Sequence, residues 1–249
     1  MTGTEQLKSA IEHYCRRTGA AAPDPRAALI DMDGTLYDSM PHHAEAWHIM
    51  MAEAGIDIPA EEFFLHEGRT GADTINLIMR RAFNRDATPE EIERLYHRKT
   101  QLFAAMPPVS PMPGAAEMLR VFEKRGMERV LVTGSAQSTL ISRLDTDYPG
   151  AFAVNRRITA RDVKHGKPAP EPFLAAMRFA GVTPQQSIVV ENAPLGVTAG
   201  AASGAFTIAV NTGPVPPEAL LDAGADILFT SMTECAEALP QLLELCHNN

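Results

Sequence analysis

Residues 29–39 read LIDMDGTLYDS, and the fold is decided by how this stretch is understood. The apolar run AALI stops at an acidic cluster, in which Asp31, Asp33 and Asp38 fall within eight residues. A short apolar run that ends in acid predicts a buried strand with chemistry at its carboxyl end. So much negative charge repels itself unless a cation sits among the carboxylates or a catalytic task holds them there.

Working outward, the pattern turns helical from about residue 41 to residue 106. PHHAEAWHIMMAEAG, GADTINLIMRRAFN and TPEEIERLYHRKTQLFAAM each space their apolar residues three and four apart. Thr88 with Glu91 has the form of a capping box, and PPVSPMPG marks a proline-rich hinge. Helix and strand then alternate. AAEMLRVFEKRG, SAQSTLISRL, PEPFLAAMRFAG and LGVTAGAASG read as helices, and RVLVT, SIVVEN, TIAV and ADILF as strands before a closing helix. Alternation predicts a Rossmann-like, doubly wound parallel sheet, an α/β core built from residues 27–39 and 112–249. Residues 40–111 are an all-helical cap inserted after the first strand. Residues 1–26 form a leader helix and linker, with Leu7, Ala10, Ile11 and Tyr14 at helical spacing. The leader is expected to be a loosely packed appendage.

With 249 residues the chain can build one sizeable core and a smaller insert. A net charge of −9 argues against a nucleic-acid surface, although a local metal or Lys can still attract an anionic substrate. Cys15, Cys235 and Cys246 are few, odd in number and without metal-ligand spacing, which implies reduced thiols in a cytoplasm. The opening residues lack a secretory apolar region, and no run reaches membrane-spanning length. The expected state is a monomer acting on a small phosphorylated substrate, with no nucleic-acid or membrane partner.

Ligand crevices of parallel sheets lie at the carboxyl ends of the strands. Four polar groups fall at strand ends or helix starts here: Asp31, Asp33 and Gly34-Thr35; Thr133-Gly134-Ser135; Lys167 in HGKPAPEP; and Glu191-Asn192. Each alone is weak, since a strand-end Asp is often a helix cap and a Lys a solvated charge. Together they suit carboxylates sharing one hard cation, and oxygen ligands with room for water suit Mg²⁺. Asp31 beside Mg²⁺ is a nucleophile towards phosphorus. Asp33 can donate a proton to the leaving oxygen and later take one from water.

IDMDGTLYDS, VTGS, HGKPAPEP and VVENAPLGVTAG resemble, in order and spacing, the four motifs of the haloacid dehalogenase superfamily. The resemblance covers about residues 27 to 235, and the placement of the helical insert is similar to the β-phosphoglucomutase-like branch. It implies Asp31 as nucleophile and Asp33 as general acid and base. It further implies Thr133, Gly134, Ser135 and Lys167 as phosphate ligands. Mg²⁺ would be held by Asp31, the carbonyl of Asp33 and Asn192, with Glu191 close by. Most of that branch has Asp where Asn192 stands, so the metal site is expected to work with one charge fewer.

An acid at position 33 favours phosphoryl transfer over carbon–halogen or carbon–phosphorus cleavage. His43 aligns with a cap His of the mutase. The mutase's cap Arg and loop Lys are replaced by Gly71 and Ala136, leaving Ser135 and Gln137 to hydrogen bond without charge. Their loss argues against a hexose bisphosphate intermediate. HEGRTGADT brings Glu67 and Arg69 towards the site, with Gly68 and Gly71 allowing tight backbone near a ligand. The EGRTGA cap and ENAPLGV are similar to a subgroup that includes an inorganic pyrophosphatase. The expected activity is Mg²⁺-dependent hydrolysis of inorganic pyrophosphate. The alternatives are a phosphatase of small sugar phosphates, a mutase and a phosphate-binding module without activity.

Overall fold

The computed structural model describes residues 3–135 and 138–247. Strand β1 (Ala27–Ile30) is wholly buried and sits at the centre of a six-stranded parallel sheet. The other strands are β2 (Glu128–Val132), β3 (Arg157–Ile158), β4 (Ser187–Glu191), β5 (Phe206–Val210) and β6 (Ile227–Phe229), in the order β3-β2-β1-β4-β5-β6. Leu29 pairs with Val130 on one side and Val189 on the other. The chain therefore reverses its direction of travel across the sheet at β1, and the crevice beyond β1 is where ligands bind in such folds.

Successive β1 side chains point to opposite faces. Ala28 and Ile30 join Phe122, Leu140 and Leu239, which come from α5 (Ala115–Lys124), α6 (Ser138–Asp147) and α10 (Met232–His247). Ala27 and Leu29 join Phe173, Ala176 and Ala199 from α7 (Glu171–Ala180) and α8 (Pro194–Ala202). The predicted doubly wound sheet is present, covered on both faces. A short α9 (Pro217–Asp222) and the two-residue β3 were not foreseen.

The leader does not behave as a loose appendage. Helix α1 (Gly3–Thr18) buries Leu7, Ala10, Ile11 and Tyr14 in the same core as α10. Each large apolar side chain buried in this way contributes roughly 1.5–3 kcal/mol. Arg17 then fixes its end: Nη2 donates to Asp226 Oδ2 at 2.6 Å and to Ala205 O at 2.9 Å, and Nη1 donates to Ala201 O at 2.8 Å.

The inserted block comprises α2 (Met40–Glu53), a 3₁₀ turn (Ala60–His66), α3 (Gly71–Phe83) and α4 (Pro89–Ala105). It packs on its own apolar cluster of Trp47, Met50, Phe63, Ile75 and Leu95. The capping box that opens α4 is formed, with Glu91 Oε2 accepting from Thr88 N at 2.8 Å and Glu91 N donating to Thr88 Oγ1 at 3.2 Å. Entry and exit strands lie side by side: Met112 N donates to Leu36 O at 2.8 Å and Asp38 N to Ser110 O at 3.0 Å. Among the described residues no helix is long and apolar enough to cross a membrane.

Candidate active site

β1 delivers Asp31 to the switch point, where its backbone N–H still donates to Val190 O at 3.1 Å. From there the chain turns, and Thr35 Oγ1 donates to Asn192 Oδ1 at 3.2 Å across the gap to β4. Lys167 reaches in ahead of α7. Its Nζ lies 2.5 Å from Asp31 Oδ1 and 2.5 Å from Glu191 Oε1, and donates to Val132 O at 3.0 Å. Burial disfavours its charge, but the two carboxylates outweigh that and raise its pKa. Glu191 Oε2 also accepts from the Asn192 and Ala193 N–H groups at 3.1 and 3.4 Å, at the start of α8. Asp31 is pushed well above the usual carboxylate range, by burial first and by the Glu191 charge second.

Asp33 has the opposite environment. Burial would raise its pKa, but the His43 imidazole and the Ser39 hydroxyl more than compensate and hold it low. Ser39 Oγ donates to Asp33 Oδ1 at 2.7 Å, and His43 Nε2 lies 2.9 Å from the same oxygen. His43 stacks on Phe103 at 4.3 Å, and Lys99 Nζ lies 2.5 Å from its Nδ1. The network therefore assigns a neutral His43, donating through Nε2 and accepting at Nδ1. Burial, with Lys99 next, keeps the His43 pKa below its usual value.

Lys99 escaped the sequence reading, although the signal exists. It interrupts the apolar stripe Leu95, Lys99, Phe103 on α4, where a cation has no reason to be unless something receives it. It lies over the rings of Trp47 and Phe103 at 5.4 and 5.3 Å. Burial lowers it to about 7, partly opposed by Asp33. Because the folded value lies below the unfolded one, the charged form costs stability fully below pH 7 and the cost fades as pH climbs towards 10. Lys99→Met is thus expected to exceed the wild type in stability at pH 6 by at most on the order of 4 kcal/mol, the gap shrinking by pH 9.5. Urea denaturation across that range checks it, and a gap that does not move with pH would remove the titration argument.

The cap loop closes over these groups. Glu67, 9% exposed, accepts from Asn192 Nδ2 at 2.8 Å, and burial followed by repulsion from Asp31 and Glu191 raises its pKa well above the usual range. Gly134 is needed for that closure, since a Cβ there would lie 2.6 Å from Gly68 O. Gly68 itself has φ +88°, a conformation open to glycine. Gly71 also lines the cavity, and a side chain there would collide with the Tyr96 ring, 2.2 Å from a built Cβ.

Asp31, Asp33, Thr133 and Ser135 line a cavity of about 60 Å³ together with Trp47, Phe63 and Tyr96 of the cap. Arg69 lines it too, and its buried Nε has no hydrogen-bond partner among the described residues. Ser135 N donates to Thr133 Oγ1 at 3.0 Å. All the foreseen site residues meet here or in the contacts above, except Gln137, which with Ala136 lies outside the described residues.

Among the described residues no three His, Cys, Asp or Glu side chains converge as a ready metal cluster, and Lys167 bridges Asp31 and Glu191. The donor set nevertheless fits a hard divalent cation. Asp31, Glu67 and Asn192 offer oxygens, and the buried carboxylates of Asp31, Glu67 and Glu191 exceed the single positive charge of Lys167.

The family profile of haloacid dehalogenase-like hydrolases matches residues 25–204. A solved structure from Bacteroides vulgatus, provisionally described as a beta-phosphoglucomutase, is 45% identical and superposes with a TM-score of 0.94 over 99% of this chain and 100% of that one. Among curated proteins, hexitol phosphatase A of Escherichia coli is 32% identical over 74% of this chain and 82% of its own length. A 2-deoxyglucose-6-phosphate phosphatase of Saccharomyces cerevisiae is 29% identical over 83% of this chain and 87% of its own. The chain belongs to the haloacid dehalogenase-like hydrolases, as a phosphohydrolase of their β-phosphoglucomutase-like branch.

Proposed function

We propose that the protein is a phosphatase of small sugar phosphates that works through an aspartyl phosphate on Asp31. The observation that carries this reading is geometric: Asp31, held by Lys167, and Asp33, held by Ser39 and His43, line one cavity. An Asp31 oxygen attacks phosphorus, the bond to the leaving oxygen breaks, and Asp33, which takes up a proton from solvent once the phosphate anion sits beside it, hands that proton to the leaving oxygen. Asp33, ionised again, takes a proton from water as the water oxygen attacks phosphorus and releases Asp31 and phosphate. Ser39 and His43 fix the Asp33 carboxylate for both transfers. Thr133 and Lys167 hold phosphate oxygens, and Arg69 offers a further donor. Asp31, the Asp33 carbonyl, Asn192 and Glu67 would hold Mg²⁺, which supplies charge neutralisation for the phosphoryl group.

The substrate class rests on the relatives, which are named for phosphorylated sugars and hexitols. They displace the expected preference for pyrophosphate. Pyrophosphate stands second, supported by the Glu67 carboxylate meeting Asn192, where it would return the charge missing at position 192. A mutase is disfavoured by the Tyr96 ring filling the space above Gly71, where that reaction would want a cation.

Phosphate release with Mg²⁺ should be greatest on hexose or hexitol phosphates, vanish with EDTA and return with Mg²⁺ but not Ca²⁺, whose longer and more numerous bonds do not suit the transfer. Pyrophosphate dominating the panel by about tenfold in kcat/KM would promote the second reading. Glu67→Ala should weaken Mg²⁺ affinity about 10–100-fold, as is typical when a metal's supporting shell is cut. If it instead binds as tightly as the wild type in a titration, Glu67 is a cap-closing residue and no more.

A further inference from the structure

We propose that a second cavity, behind the Gly34 turn, is an entrance by which a divalent cation reaches and leaves the Asp31 site separately from the substrate. The inference rests on the metal reading given above. The cavity measures about 90 Å³ and lies where cap and core meet. Asp38, Pro41 and Pro214 are exposed at its rim, and Gly34, Glu67 and Asn192 are buried at its floor. This volume holds several waters.

Glu67 lines both this cavity and the catalytic one, so its carboxylate is part of the partition between them. The Asn192 Nδ2 to Glu67 Oε1 contact of 2.8 Å lies directly against the turn, since a Cβ on Gly34 would sit 2.0 Å from Nδ2 and 2.9 Å from Oε1. Thr212 Oγ1, donating to Gly34 O at 2.6 Å, pins the turn from the rear.

Charge sorts the two openings. The rear path runs from the Asp38 carboxylate to the Glu67 carboxylate and the Asn192 amide, which draws a hydrated cation and repels phosphate. The catalytic cavity sets the cations Arg69 and Lys99 and the Thr133 hydroxyl beside its carboxylates, whereas the rear path has no cation among the described residues that line it, so the anion enters on the catalytic side. A cation therefore exchanges while a phosphorylated ligand occupies the catalytic cavity.

The test reads metal kinetics without turnover. Trp47, the sole tryptophan, lines the catalytic cavity and reports Mn²⁺ by quenching in stopped flow. A Cβ on Gly213 would meet Phe64 carbons at 3.6 and 3.9 Å, ordinary contact, so the backbone accepts a side chain there, and Gly213→Phe is chosen to narrow the rear path, with its fold checked by the denaturant midpoint. In the presence of orthovanadate, Gly213→Phe is expected to slow Mn²⁺ association and dissociation alike, by about tenfold, leaving Kd unchanged. Asp38→Lys changes an exposed rim residue and cannot fail by misfolding of the core. It should slow association about fivefold at low salt, with recovery at roughly 0.5 M. Wild-type rates for both variants under vanadate would overturn the entrance. Failure of the wild type to bind Mn²⁺ at all would overturn the metal reading and the entrance with it.

Discussion

Replacing Asp31 with Asn is expected to abolish phosphate release, by at least about 10⁴-fold in kcat, while the protein stays folded. The amide is the same size but cannot form an acyl phosphate. Stability should change little, because the group removed is one of two carboxylates that share Lys167 and repel each other. Denaturant midpoint and single-turnover phosphate release measure the two halves. Residual activity above about one hundredth of wild type would assign the nucleophile elsewhere.

Lys167→Met is expected to be the most destabilising single change. It leaves Asp31 and Glu191 buried without their shared ammonium, and breaking a buried pair in this way costs about 3–5 kcal/mol. The sign with pH follows from the direction of the Asp31 shift. A carboxylate whose folded pKa lies above its unfolded value gains stability in acid and loses it as pH rises through the folded value. The deficit should therefore be large at pH 7.5 and smaller at pH 5, read from urea unfolding at both. A deficit that deepens on acidification would mean Lys167 is held by packing and not by charge.

The sheet and the helical insert were legible because each rests on local pattern. AALI and SIVVE are short apolar runs at the feet of acidic residues, and the cap helices keep strict helical spacing. β3 escaped because two residues cannot express a period, and its existence depends on Leu131 and Val132 already being in place. The packing of α1 escaped because its Arg17 and its partner Asp226 are far apart in the chain and look like solvated charges. In the site, motif residues were visible, but Lys99 was masked by the charged residues around it on α4. Its burial is decided by Trp47 and Phe103, which only the folded cap brings together. Sequence spacing also could not show that Lys167 joins Asp31 to Glu191, since that contact spans three separate segments of the chain.

The central position of β1 has a consequence for how the chain reaches this state. β1 emerges early, yet its partners Val130 and Val189 lie roughly a hundred residues or more downstream, so closing those loops carries a large entropic cost. The cap helices make mostly local contacts and share a core of their own, so they can form while β1 waits. Once folded, the cap brings Tyr37 beside Pro111 and shortens the effective loop between β1 and β2 to about two dozen residues, 31–37 and 111–127. Sheet assembly then becomes the slow step, with an apolar strand, AALI, exposed until it is complete. Refolding yield is therefore expected to fall when the core of the insert, which also covers the catalytic cavity, is weakened.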